Sequence, residues 1–262
     1  MAMTLVTGGA SGLGSDVVRA LLARGQTPRI LTHRADAAAP DGAELACGDL
    51  RTSEGLEAAL SGVAIVIHCA SNAREPDFAT EIQGAHHLTR MAKAAGVAHL
   101  IYISIVGVDR SEYPYYAAKR EAERIFEAGE TPWTTLRATQ FHHLVHGLLR
   151  NWDDGSARLT VPPGMRFQSV ARHEVAARLI ELADAGPSCY ALPMRGPQTL
   201  TIMEMAQAYL AAKGRAATVE TAPPEGAPAS VFRTGVNLVP EGAPATCGQQ
   251  TWAEFLRGKA GA

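Results

Sequence analysis

The chain has 262 residues, of which 47% are hydrophobic and 19% are charged. This composition predicts a sizeable buried core and excludes a largely disordered chain. Because 24 Lys and Arg residues are balanced by 26 Asp and Glu residues, the net charge is only −2, and we expect no nucleic-acid partner.

Short apolar runs alternate with helical patterns over the first two-thirds of the chain. The predicted strands are Met3–Thr7, Arg29–Thr32, Leu45–Cys47, Ala64–His68, His99–Ser104 and Trp133–Arg137. The predicted helices are Gly14–Arg24, Ser53–Leu60, Ala79–Ala95 and Tyr115–Ala128. Strands that alternate with helices predict an α/β fold, in which a doubly wound parallel sheet carries helices on both faces.

The pattern after about Phe141 is less regular. It contains a predicted helix over His173–Ala183, a Pro-rich stretch at Val161–Gly164, an Ala/Pro-rich loop at Thr221–Ala229, and two capping boxes, Thr201 with Glu204 and Thr251 with Glu254. We predict a single domain over residues 1–262. Residues 1–140 form its core, and residues 141–262 form a small substrate-binding cap with the remaining sheet elements.

The string TGGASGLG, from Thr7 to Gly14, follows the first strand and precedes the first helix. Glycine allows a sharp turn and a close approach to a pyrophosphate, and the helix N-terminus offers free N–H groups to the phosphates. Strand, turn and helix together predict a dinucleotide site of the Rossmann type, although such strings also form ordinary turns. The predicted contacts are Thr7, Gly8, Ser11, Gly12, Leu13 and Gly14.

The end of the second strand predicts which dinucleotide binds. An acid about 20 residues after the glycines reads the ribose 2′-hydroxyl of NAD, but this strand ends Thr32-His33-Arg34. Arginine suits a 2′-phosphate, so we expect NADP(H) rather than NAD(H), with His33 and Arg34 in contact. The alternative is a solvated Arg34, and Asp36 lies close enough to favour NAD.

Four motifs occur in the order seen in the short-chain dehydrogenase/reductase superfamily, which the first 145 residues resemble. They are TGGASGLG, GDL at Gly48–Leu50, HCAS at His68–Ser71 and YYAAK at Tyr115–Lys119. The phrases YISIVGVDRSEYPYYAAKREAE and GPQTLTIMEMAQAYLAAKGR are similar to its atypical NmrA-like NAD(P)H-binding branch. That branch contains cytoplasmic reductases and also proteins that bind the dinucleotide mainly as sensors.

The resemblance implies roles for particular residues. Asp49 and Leu50 would lie against the adenine ring. The ribose and nicotinamide side would be lined by Cys69, Ala70 and Ser71. Ser104, Tyr115 and Lys119 match the family's catalytic serine, tyrosine and lysine, and Lys119 would also bind the cofactor ribose.

The chemistry of this triad also follows from the residues themselves. Tyr115 and Lys119 are four apart on a predicted helix and therefore share a face. A lysine ammonium beside a phenol stabilises the phenolate, so Tyr115 could act as a general acid while Ser104 holds a carbonyl oxygen. The alternative is an ordinary surface pair. Many superfamily members have Asn where this chain has Glu81, which departs from their proton relay.

The segment FHHLVH places three histidines beside the predicted active-site mouth. His142 and His146 have the i, i+4 spacing of metal ligands, but no third ligand is identifiable. We therefore expect no metal, and expect His142 to line the substrate pocket with Phe141 and Tyr113.

These patterns favour an NADPH-dependent oxidoreductase that reduces a carbonyl or conjugated small molecule by hydride transfer, with tyrosine as general acid. The alternative is an NmrA-like dinucleotide-sensing regulator without turnover. A third possibility, a nucleotide-sugar epimerase or dehydratase, is disfavoured because the C-terminal portion gives little room for such a substrate.

Composition and patterning also bear on partners and location. Four scattered cysteines, a start without a secretion signal, and apolar runs too short to span a membrane predict a cytoplasmic protein without membrane contact. The helix before Gly129 is heavily charged, which favours a monomer over the dimers common in the superfamily. The expected partner is a small-molecule substrate.

Overall fold

Parallel strands linked by helices begin at Met3 in the computed structural model, which describes residues 2–34, 37–222 and 228–260. The strands of the first two-thirds are β1 (Met3–Thr7), β2 (Arg29–Thr32), β3 (Glu44–Cys47), β4 (Val63–His68), β5 (His99–Ile105) and β6 (Trp133–Ala138). The helices between them are α1 (Gly12–Ala23), α2 (Leu56–Leu60), α3 (Ala79–Ala94) and α4 (Pro114–Ala128). The predicted alternation is confirmed.

The strands follow the order β3-β2-β1-β4-β5-β6, and the pairs from β3 to β5 are parallel. The chain runs from β1 to one edge of the sheet and then returns to the other side of β1 with β4. This reversal is the switch point at which α/β sheets bind ligands, beyond the carboxyl ends of the strands. The predicted Rossmann-type α/β fold, with helices flanking a mostly parallel sheet, is confirmed.

One predicted helix begins later than expected. The sequence predicts a helix from Ser53, but α2 begins at Leu56. Ser53 and Gly55 have φ angles of +67° and +72°, which belong to the left-handed region and cannot form part of an α-helix. Leu56 and Leu60 are then fully buried.

The remaining elements are α5 (His142–Trp152), β7 (Arg158–Val161), β8 (Arg166–Phe167), α6 (Arg172–Ala185), β9 (Cys189–Tyr190), β10 (Met194–Arg195), β11 (Leu200–Thr201), α7 (Ile202–Ala212), β12 (Thr218–Thr221), α8 (Pro228–Thr234), β13 (Thr246–Cys247) and α9 (Trp252–Ala260). Both predicted capping boxes are present at the starts of α7 and α9. The predicted loop at Thr221–Ala229 lies partly outside the described residues, and its ends belong to β12 and α8.

The chain divides into two compact units, and neither is continuous in sequence. The first comprises Met1–Ser104, Pro114–Arg137 and His173–Ala191, and the second comprises Ile105–Tyr113, Ala138–Arg172 and Leu192–Ala262. The first unit contains a core of Leu5, Leu60, Leu88, Tyr102 and Phe126. In the second, Trp252 is buried and its indole N–H donates to the carbonyl of Met205 at 3.1 Å. The single domain divided after residue 140 stays a prediction.

Candidate dinucleotide site and buried charge network

The turn between β1 and α1 is a close-packed cradle. Gly8 has a φ of +67°, and a Cβ atom there would lie 2.9 Å from the Cα of Ala70. A Cβ on Gly14 would lie 2.2 Å from the carbonyl oxygen of Gly8. Larger residues at either position would displace backbone. The side chain of Ser11 does not cap α1, and no acid occupies its first turn, so its N-terminal N–H groups suit an anion.

The side chain of Thr7, at the end of β1, forms hydrogen bonds with the end of β4 and the residues after it. Its hydroxyl accepts the backbone N–H groups of Cys69 and Ala70, each at 3.1 Å, and lies 2.7 Å from Nδ1 of His68. The hydroxyl hydrogen therefore goes to Nδ1 of a neutral imidazole. Burial, aided by the positive charge of Lys119, lowers the pKa of His68 to about 3. The Thr7 side chain thus fixes the position of the segment that carries Cys69, Ala70 and Ser71.

A cavity of about 640 Å³ opens at the carboxyl ends of the central strands. Of the predicted cofactor contacts, it is lined by Gly8, Ser11, His33, Arg34, Asp49, Leu50, Ala70 and Ser71. Thr7, Gly12, Leu13, Gly14, Cys69 and Lys119, which were also predicted as contacts, do not line it. The volume suits a small-molecule ligand, and the glycine turn forms one side.

Sequence reasoning missed several lining residues, including Arg51, Asn72, Glu75 and Thr80. Arg51 and Asn72 directly follow the GDL and HCAS motifs, so the convergence of chain segments after parallel strands could have indicated both. Glu75 and Thr80 are joined by hydrogen bonds of 2.8 Å in the segment leading into α3. No sequence pattern pointed to them.

Two arginines that line this cavity, Arg34 and Arg51, differ in their contacts. Arg51 forms an ion pair of 3.1 Å with Asp49, and its hydrogen bond holds the pKa of that carboxyl below the usual value. The exposed guanidinium of Arg34 has no hydrogen bond or ion pair within the described part of the chain. Asp36, the acid that would favour NAD, lies outside the described residues. Arg34 is therefore available to a ligand anion.

The predicted serine, tyrosine and lysine all belong to the first unit. Lys119 is 2% exposed, and its ammonium donates to the carbonyl of Ile103 at 2.9 Å, one residue before Ser104. The hydroxyl of Ser104 is buried and has no hydrogen-bond partner among the residues described. Tyr115 is half-buried, and its hydroxyl lies 2.6 Å from Oγ of Ser71.

Glu81 connects these residues. It lies on α3, is fully buried, and accepts hydrogen bonds from the hydroxyls of Ser71 and, at 3.2 Å, Tyr102. Its other contact is the ammonium of Lys119, at 3.3 Å. Burial and the Glu81 carboxylate raise the pKa of Tyr102 well above its usual value, so that phenol stays protonated. Two hydrogen bonds therefore connect Tyr115 through Ser71 to Glu81, and Glu81 forms an ion pair with Lys119.

The predicted substrate residues lie in the second unit. Tyr113 is half-buried and Phe141 begins α5, where it pairs with Val170. His142 is buried, with Nδ1 at 2.8 Å from the hydroxyl of Ser169 and Nε2 at 3.0 Å from the carbonyl of Gln250. Both of its ring nitrogens are in use, which leaves none for the i, i+4 metal alternative. The substrate role of these three residues stays a prediction.

Over residues 2–34, 37–222 and 228–260, no group of three or more His, Cys, Asp or Glu side chains could hold a metal ion. In the same ranges, every helix is too short or too polar to cross a bilayer.

The glycine cradle, the open helix N-terminus and the cavity at the switch point define a dinucleotide-binding Rossmann protein. A family model described as NAD(P)H-binding matches residues 8–185. The chain belongs to this NAD(P)H-binding family, as the resemblance of its sequence predicted.

Two curated relatives and one solved structure illustrate the relationship. The chain is 40% identical to sterol demethylase protein B of Methylococcus capsulatus over 57% of this chain and 48% of that protein, about half its length. It is 30% identical to an NAD(P)H azoreductase of Xenophilus azovorans over 81% of this chain and 74% of that enzyme. An NADPH-dependent quinone oxidoreductase from Escherichia coli, complexed with NADPH, shares the fold: TM-score 0.80, 18% identity, and coverage of 98% and 99%.

Proposed function

We propose that this protein is an NADPH-dependent reductase of small carbonyl, quinone or other conjugated molecules, with Tyr115 as the proton donor. The observation that carries the proposal is the hydrogen-bonded chain from Tyr115 to the buried pair of Glu81 and Lys119. The similarity to an azoreductase supports an electron-poor conjugated substrate. A protein that only senses a dinucleotide has no need for such a chain.

The charges along this hydrogen-bonded series favour a protonated Tyr115. The single hydroxyl hydrogen of Ser71 is donated to Glu81, so the hydroxyl of Tyr115 donates to Ser71. Only the hydroxyl of Ser71 would separate a Tyr115 phenolate from the Glu81 carboxylate, and the two negative charges would repel each other. Because Glu81 also neutralises Lys119, the lysine stabilises a phenolate less than the Tyr115–Lys119 spacing alone predicts. A tyrosine that keeps its proton suits a reduction, in which it acts as an acid.

The remaining residues have distinct roles in this proposal. The glycine turn and the N-terminus of α1 bind the pyrophosphate, and Arg34 binds the 2′-phosphate that distinguishes NADPH from NADH. When bound, the reduced dinucleotide supplies a hydride. Ser104 offers a buried, unpartnered hydroxyl to the substrate oxygen, and Tyr115 delivers the proton that completes the reduction.

The test begins with a panel of quinones, azo dyes, enones and ketones, with NADPH oxidation followed by absorbance. With the substrate that reacts, Tyr115→Phe should lower turnover by about 10²- to 10⁴-fold, the range for loss of a general acid. NADPH affinity should be unchanged, because the hydroxyl serves the proton and not the dinucleotide. Tyr116→Phe is the matched control and should be mild.

A second variant probes the charge argument. Glu81→Gln keeps the shape of the side chain but removes the charge that offsets Lys119, so Tyr115 should lose its proton at lower pH. The alkaline limb of the pH–rate profile should then move to lower pH, whereas a merely structural loss would lower the rate at every pH. Normal turnover by Tyr115→Phe would exclude Tyr115 as the acid. Tight NADPH binding without any turnover would favour the dinucleotide-sensing regulator.

A further inference from the structure

The second unit contains a cavity of about 600 Å³ that three arginines line: Arg110, Arg166 and Arg195. We propose that this cavity binds a small molecule bearing a phosphate or carboxylate group. The proposal is independent of the reductase function proposed above, because it rests on other residues and is tested without turnover.

Three separate elements bring the arginines together. Arg110 ends a short 3₁₀ helix over Val108–Arg110, Arg166 begins β8, and Arg195 ends β10. One acid, Glu241, lines the same cavity, so three positive charges meet one negative charge. Like charges around one cavity repel each other, and a bound oxyanion would relieve that repulsion.

The guanidinium groups keep donors for a ligand. Arg110 uses Nη2 to donate to the carbonyls of Val236 and Leu238, at 2.9 and 3.1 Å, and Arg195 donates from Nη1 to Gly196 at 3.2 Å. Within the ranges that the structure describes, the guanidinium of Arg166 has no hydrogen bond or ion pair. Arginine's fork of donors matches the oxygens of a phosphate or carboxylate.

The wall of the cavity around Gly235–Val239 is held in place by buried contacts. The amide of Asn237 donates to Oε1 of Gln140 at 3.0 Å and to the carbonyl of Arg166 at 2.9 Å. The backbone N–H of Val239 donates to Oε1 of Gln168 at 2.8 Å. A wall fixed before binding means that little conformational entropy is lost when a ligand enters.

Part of the cavity lining is apolar and comprises Leu238, Val239, Pro240 and Ala243. A cavity of this volume, lined by both arginines and apolar side chains, suits a phosphate ester or carboxylate with a small apolar body. A bare inorganic ion would leave the apolar part of the lining without contacts.

The test is calorimetric titration of the whole protein saturated with NADP⁺, so that phosphate cannot occupy the N-terminus of α1. The probes are phenyl phosphate and inorganic phosphate. Phenyl phosphate should bind more tightly, and Arg166→Ala and Arg195→Ala should each weaken it at least tenfold, since a hydrogen bond to a charged group is lost. Arg166→Gln, which keeps the aliphatic stem, should lose a similar amount.

Arg158→Ala is the matched control, because Arg158 is an exposed arginine of the same unit that pairs with Glu220 at 3.9 Å. It should bind phenyl phosphate like the wild type, and NADP⁺ affinity should be equal in every variant. Equal affinity for phenyl phosphate in Arg166→Ala and Arg158→Ala would overturn the proposal, as would the absence of heat with the wild type. Equal binding of both probes would overturn the assignment of an apolar body. Failure to bind NADP⁺ would instead contradict the dinucleotide site.

Discussion

Arg34 is the cation that we propose to bind the 2′-phosphate of NADPH. It lines the cavity and is without a partner in the described part of the chain, whereas its neighbour Arg51 is held by Asp49. Arg34→Ala should weaken NADPH binding by about 1.5–3 kcal/mol, the range for hydrogen bonds to charged groups, and leave NADH binding unchanged. Calorimetric titration with both dinucleotides measures the difference.

Arg74→Ala is the control for Arg34, since Arg74 is also exposed but does not line the cavity. It should leave both affinities unchanged. Equal losses for NADPH and NADH in Arg34→Ala would contradict the 2′-phosphate assignment, because only one of the two ligands carries that group.

At the residue scale, spacing predicted part of the site. The four-residue separation of Tyr115 and Lys119 placed both on α4, and the glycine string indicated the cradle. The role of Glu81 could not be predicted, because it depends on three contacts with residues 71, 102 and 119 that only the folded chain brings together. From sequence it was visible only as a departure from a family pattern.

At the scale of the element, the start of α1 depends on a glycine that a larger residue cannot replace. Gly14→Ala would place a Cβ atom 2.2 Å from the carbonyl of Gly8 and should distort the turn, with loss of stability and of NADPH affinity. Fluorescence titration and urea unfolding measure the two effects. Unchanged NADPH affinity would show that the turn does not bind the dinucleotide.

Gly147→Ala is the matched control in helix α5. A Cβ atom there would meet no atom within 4 Å, so only the helix propensity changes. The free energy of unfolding should rise by roughly 0.5–1 kcal/mol, because alanine loses less backbone entropy than glycine in a helix.

Local signals predicted local elements well. The hydroxyl–carboxylate pairs Thr201–Glu204 and Thr251–Glu254 form the two predicted capping boxes, because each box needs only four consecutive residues. The late start of α2 escaped prediction, since Ser53 carries no sign of its left-handed backbone and Gly55, a residue type that favours one, was placed inside the predicted helix.

At the scale of the whole molecule, buried histidines make the fold sensitive to acid. Burial lowers the pKa of His68 to about 3 and that of His99 to about 4. Between pH 6.5 and 4 the unfolded chain binds protons at these positions and the folded chain does not, so stability is lost as pH falls. Each of the two histidines should lower the free energy of unfolding by about 2 kcal/mol at pH 5. Urea unfolding at pH 7.5 and at pH 5 measures the loss.

His99→Gln is the comparison variant. His99 contacts the hydroxyl of Thr134 at 2.8 Å, and the glutamine amide can still reach that hydroxyl. Unlike the imidazole, the amide does not titrate. The variant is expected to be less stable at pH 7.5, yet its loss of stability between pH 7.5 and 5 should be smaller than that of the wild type. An identical pH dependence in both proteins would show that His99 is not kept neutral by burial.

The order of strands and helices along the sequence predicted the sheet of the first unit, because alternating elements leave few ways to connect parallel strands. It did not reveal that residues 105–113 belong to the second unit and residues 173–191 to the first. Membership in a unit is set by which surfaces bury each other, and no composition shift or linker marks these boundaries in the sequence.

The alternation of the two units along the sequence has a consequence for synthesis on the ribosome. The first unit is complete only after residue 191 has been translated, although most of its sheet is made by residue 137. During the intervening translation, the nascent chain carries β6 without β9, its parallel neighbour. An open strand edge is a site for unwanted pairing between chains, so this interval exposes the growing polypeptide to aggregation. Expression of residues 1–140 alone would make that exposure permanent.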